Sequence, residues 1–114
     1  MKYEVMMTSQ AVADLRTVFE YIAYELLAGQ TALNQLDRLE KAIEGLEEMP
    51  ERHHVYEKES WKSRNLRVMP VDNYLVFYIA EKEEKRVTVI RIMYGRRDIE
   101  TQLKAHTPDK DSDK

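Results

Sequence analysis

Residues 52–65, RHHVYEKESWKSRN, bring together two histidines, an alternation of acidic and basic groups, and the chain's single tryptophan. Such a mixture can move protons and hold anions. Histidine is the side chain whose ordinary pKa best suits proton transfer near neutrality, so His54 and its neighbour His53 are acid–base candidates. Glu57, Lys58, Glu59 and Lys62 are further candidates in the same stretch. Each of them taken singly is more often a solvated loop residue. Arginine adds a second capability, because a guanidinium grips a phosphate through paired hydrogen bonds. Arg64 and Arg67 follow the segment, and Arg96 and Arg97 stand together after Gly95. Tyr94 and Trp61 could stack on an exposed base. Trp61 could also anchor a bound partner, but a hydrophobic plug between loop and sheet is the preferred reading. Metal chemistry has little support. Adjacent histidines diverge, and no HExxH or carboxylate cluster accompanies them. Cysteine is absent, which removes thiolate nucleophiles, and without a glycine-rich phosphate loop no cofactor is expected.

These groups need a scaffold, and 114 residues allow one domain. The net charge of −3 hides an asymmetry. Residues 1–51 carry four Lys/Arg against ten Asp/Glu, and residues 52–97 carry eleven against six. A basic second half attracts a polyanion or an acidic protein even in an acidic chain. The start, MKYEVMMTSQ, lacks the apolar run of a signal peptide, and no stretch is long enough to span a membrane; a cytoplasmic protein fits.

Lys2–Met7 reads as a first strand, with Thr8 or Ser9 capping the helix after it. Across 11–27, Val12, Leu15, Phe19, Ile22 and Leu26 recur at helical spacing, and Gly29 marks the break. Ala32, Leu36, Leu39, Ile43 and Leu46 stripe a second helix over 31–48, closed by Pro50. A short strand is expected around Val55–Glu57. Leu66–Met69 reads as a strand interrupted by Pro70, while Tyr74–Ala80 and Val87–Tyr94 form a hairpin at the sheet centre. Tyr21, Tyr24, Tyr74 and Tyr78 read as structural. The order β-α-α-β-β-β implies an α+β fold, an antiparallel twisted sheet packed against a two-helix hairpin. Residues 1–105 would form the domain and 106–114 a disordered tail.

The order of four stretches resembles the RelE/ParE toxins of type II toxin–antitoxin systems. They are TSQAVADLRTVFEYIAYEL, LDRLEKAIEGLEEMP, NLRVMPVDNYLVFYIA and VTVIRIMYGRRDI. The resemblance covers roughly residues 2–103. It implies a growth-arresting toxin, neutralised by a small antitoxin that wraps around it and supplies operator-DNA binding for the pair. One branch of the family cleaves mRNA on the ribosome, where the RNA 2′-hydroxyl attacks the adjacent phosphate. The other branch inhibits DNA gyrase without cleavage. For the first, the resemblance implies catalytic roles for Arg67, Arg97 and Tyr94, with a lysine or glutamate of residues 52–65, such as Lys58, as the proton acceptor, while His54 is the candidate on pKa grounds. Lys62, Arg64 and Arg96 would contact RNA. Leu103 stands where such nucleases can carry a terminal tyrosine, a departure from their pattern. The expectation leans narrowly to ribosome-dependent mRNA cleavage, with gyrase inhibition as the alternative.

Overall fold

The computed structural model describes residues 2–58 and 61–95. Its four strands are β1 (Glu4–Met7), β2 (Leu66–Val71), β3 (Tyr74–Glu81) and β4 (Arg86–Tyr94), in the spatial order β1-β4-β3-β2. The β2–β3 and β3–β4 pairs are antiparallel, whereas β1 lies parallel to β4, from Glu4 opposite Arg86 to Met7 opposite Val89. The sheet is therefore mixed, and the antiparallel description holds for its last three strands. Connectivity explains the exception. Two hairpin turns make β2 and β4 run the same way, and the helical segment between β1 and β2 is the long crossover that parallel strands require.

Thr8 caps the first helix, α1 (Ser9–Glu20), its hydroxyl accepting the Ala11 N–H at 3.0 Å. A π-helical turn, Tyr21–Glu25, follows. The buried residues of this stretch are Ala11, Val18 and Ile22, while Val12 and Leu26 are exposed, contrary to the apolar stripe expected for them. Two causes rotate the face. Asp14 must look toward β4, and the π turn adds a residue before Leu26, whose N–H reaches back to Tyr21 O. The break falls at Leu27, in the left-handed region at φ 52°, and Gly29 is instead the first residue of α2 (Gly29–Glu44). The second stripe is as expected, with Ala32, Leu39, Ile43 and Leu46 buried. The helix passes into a 3-10 turn at Gly45–Glu47, and Pro50 opens a separate turn, Pro50–Arg52, rather than closing the helix.

Core residues occupy both faces of β3 and β4. Val76, Tyr78, Val87, Val89 and Ile92 pack with the helices, and Phe77, Ile90 and Met93 pack with Trp61 and Leu66 on the other side. Trp61 is the plug expected of it. The expected strand near Val55 is reduced to a single bridge to Arg67 at the outer edge of β2. Pro70 does not interrupt β2. The outward-facing groups are those of alternate residues, since Leu66 O accepts from Tyr56 N and Val68 N donates to His54 O. Pro70 falls next in that alternation, on the edge side, where a missing N–H breaks no ladder bond.

Candidate functional site

The expected site residues divide between the two faces of the sheet. Arg67 stands opposite Tyr78 in the β2–β3 ladder. Its Nη1 donates to His53 O at 2.7 Å and to Glu51 O at 3.1 Å. Beside it the Tyr78 hydroxyl donates to Pro50 O, and the His53 ring meets the Tyr78 ring edge-on. Both side chains thus clamp the turn that follows α2. Burial pushes the Tyr78 phenol up to about 12, and the nearby Arg67 and Arg52 charges only partly offset it. Burial also lowers the pKa of His53, helped by the charges of Arg52 and His54, and His53 Nε2 is buried without a hydrogen-bond partner. A neutral imidazole facing a protonated phenol is a packing arrangement more than a proton relay.

The loop face collects the other basic residues. The Arg64 guanidinium lies 4.4 Å from the centroid of the buried Trp61 ring, a cation–π stack in which the arginine caps the indole. Lys62 Nζ is 3.5 Å from Glu57 Oε1, with both side chains well exposed. Tyr56 meets Phe77 edge-on at 5.6 Å. His54 and Lys58 are solvent-exposed. Glu59 lies outside the described residues.

Tyr94 ends β4 directly opposite Tyr74, their rings 5.8 Å apart. Desolvation raises the Tyr74 pKa, and the neighbouring Tyr94 and Tyr21 raise it further. Tyr94 and Arg67 lie level with Tyr74 and Tyr78 of β3, four residues apart, so about 13 Å of strand separates their positions. Arg67 lies beside the backbone of His53–Val55, but Tyr94 is not brought to them. Arg96, Arg97 and Leu103 lie outside the described residues, as does the 106–114 tail.

Sequence reasoning missed a buried ion pair. Asp14 on α1 accepts Arg91 Nε at 2.7 Å and Nη2 at 3.0 Å, and also the Ile92 N–H at 2.8 Å. β1 ends opposite Val89, so the edge of β4 beyond it lacks a neighbouring strand. Thr8 covers the next positions through its N–H to Val89 O and its hydroxyl to Ile90 O, and Asp14 covers Ile92. A readable signal existed. An arginine in the middle of VTVIRIMY is a charge in a buried strand, which demands a partner. Gln35, buried in α2, was also passed over; with Arg38 it donates to Asp72 Oδ2 at the β2–β3 turn. Those two donors hold the Asp72 carboxyl below its usual range.

Among the described residues no cluster of three or more His, Asp or Glu side chains could hold a metal ion. None of the described helices is long and apolar enough to cross a membrane.

Residues 5–99 match the protein family described as the ParE toxin of the type II toxin–antitoxin system parDE. Among solved structures, the chain is similar to a chain of the chromosomal ParDE system of P. aeruginosa, at 15% identity and a TM-score of 0.67, covering 82% of this chain and 96% of that one. It is also similar to a chain of the RelBE2 toxin–antitoxin complex of Mycobacterium tuberculosis, at 18% identity and a TM-score of 0.59, with 82% and 92% covered. A third similarity is to a chain of the archaeal RelE–RelB complex of Pyrococcus horikoshii OT3, at 19% identity and 0.58, with 85% and 99% covered. At these identities the likeness establishes the fold. No curated protein sequence matches the chain.

Proposed function

The chain belongs to the ParE toxin family of type II toxin–antitoxin systems, and from that premise we propose that it arrests growth by binding its target, DNA gyrase, rather than by cutting RNA. The observation that carries this reading is the dispersal, among the described residues, of the groups a nuclease would need. In-line cleavage requires a proton acceptor, a proton donor and cations within hydrogen-bond reach of one phosphate. Here Arg67 turns to the helix side and bonds two backbone carbonyls. Tyr94 sits about 13 Å along the sheet from it, and His54 and Lys58 are solvent-exposed in the segment outside β2. Leu103 offers no ionisable group. A protein that works by contact needs none of these to converge.

One observation favours the second reading, ribosome-dependent mRNA cleavage. The exposed Lys62 and the half-buried Arg64, beside the buried Trp61, form a basic surface of the kind that meets RNA phosphates. In either case the partner that neutralises the toxin is a small antitoxin, as in the ParDE and RelBE complexes of similar fold. It would fold over the apolar and basic surfaces and carry operator-DNA binding for the complex.

The two readings separate in one induction experiment. The toxin is expressed from a tight promoter, and within minutes the 5′ ends of cellular mRNA and the breaks in chromosomal DNA are mapped. Gyrase-dependent double-strand breaks with intact mRNA are expected. New mRNA ends inside translated codons, lost in Arg67→Ala/Arg97→Ala, would overturn the proposal in favour of cleavage.

A further inference from the structure

The tip of the helical hairpin carries an exposed apolar surface, of which the fold uses only the edge-on contact of Tyr24 with Phe19 and the approach of Tyr21 to Tyr74. Tyr24 and Leu27 are 68% and 85% exposed, and Tyr21 and Leu26 are more than half exposed. The cause is the π turn. It widens the backbone register over Tyr21–Glu25, keeps Ile22 in the core, and turns Tyr21, Tyr24 and Leu26 outward. Leu27 is then held in the left-handed region, an unfavourable conformation for leucine. Thr17, Glu20, Tyr21, Tyr24 and Glu25 line a shallow open groove at this place. Among the described residues, Glu20 and Glu25 form no ion pair or hydrogen bond, unlike Asp14, Asp37 and Glu47 on the same helical half.

We propose that this tip, built from Glu20, Tyr21, Tyr24, Glu25, Leu26 and Leu27, is a docking ledge for a cationic amphipathic segment of a partner protein. Charge selects the occupant. Two unpaired carboxylates flank the aromatic and aliphatic contacts, and the helical half carries four Lys/Arg against ten Asp/Glu. Nucleic acid and anionic lipid are repelled by that surface. A second copy in a two-fold contact would set Glu20 and Glu25 against the same residues of its partner. A helix presenting leucines toward the tyrosines, with lysines or arginines at its margins, satisfies both the apolar area and the charge. The ledge lies on the helix side of the sheet, opposite the Trp61–Arg64 surface, and the inference does not rest on which target the toxin has.

The full chain is titrated into a fluorescently labelled synthetic helix of leucine and lysine, about 15 residues long. A leucine and glutamate helix of equal length is the counterpart. Saturable binding of the lysine helix alone is expected. Tyr24→Ala should weaken it about tenfold, and Glu20→Lys/Glu25→Lys by about the same factor or more. These side chains are exposed, so circular dichroism should stay unchanged. Glu40→Lys/Glu44→Lys makes the same change of net charge on exposed positions of α2 and should leave binding within about twofold. Equal weakening by the two double variants would overturn the ledge in favour of diffuse attraction. Absence of binding, or a sedimenting dimer abolished by Tyr24→Ala, would overturn it too, the dimer naming a second copy as occupant.

Discussion

At the scale of single residues, the side chains with the strongest structural duties are not those that look most chemical in the sequence. Asp14 and Arg91 form a buried pair in which the carboxylate also holds a β4 N–H. Asp14→Ala leaves a guanidinium that is 5% exposed without its carboxylate. Urea unfolding should show a loss of about 3–5 kcal/mol. Asp14→Ala/Arg91→Met should recover part of it; a double variant as unstable as the single one would contradict this account. Tyr78 offers a spectroscopic check. In an alkaline titration followed by phenolate absorbance, one tyrosine should ionise near 12, and Tyr78→Phe should remove that step. His53 gives a pH dependence whose sign follows from its lowered pKa. The unfolded chain takes up the proton more readily, so this residue's contribution is constant at high pH. Stability falls as pH drops through the ordinary histidine value of 6.5 toward the lower folded value. His53→Gln should flatten that part of the stability–pH curve. The candidate site was only partly legible. Residue types named the basic and aromatic groups, but a strand residue's face depends on register, and only the ladder shows that Arg67 shares the Tyr78 side.

At the scale of elements, periodicity carried most of the fold. α2, β3 and β4 lie where their apolar patterns put them, because long amphipathic or apolar runs leave few alternatives. The errors sit where a local rule met a tertiary demand. Val12 gave up its place in the core because Asp14 must reach Arg91, and a π turn cannot be read from helical spacing. Pro70 belongs in a strand because that strand is at an edge, which depends on strand order. The hairpin break offers its own test. Leu27 is left-handed and almost fully exposed, so Leu27→Gly removes strain at little loss of burial. Thermal or urea unfolding should show a gain of about 1 kcal/mol. A loss would mean that Leu27 contributes packing not evident from its exposure.

At the scale of the molecule, the chain divides into an acidic helical half and a basic sheet half, and a single strand links the two ends of the domain. β1 supplies Tyr3, Val5 and Met7 to the helix-side core and pairs with the last strand. Deleting residues 2–7 should therefore abolish the cooperative unfolding transition, not merely lower its midpoint; a sharp transition in the truncated chain would show that β1 is dispensable. The pairing also has a temporal side. A nascent chain emerges in order, so Met7 is made long before Val89, its partner. At about 5–20 residues per second the interval is roughly 4–16 s. Throughout it the first strand lacks the strand it pairs with, and the helix-side core lacks Val89 and Ile92. The helix-side core, which needs Val87, Val89 and Ile92 of the last strand, can therefore close only once that strand has been released.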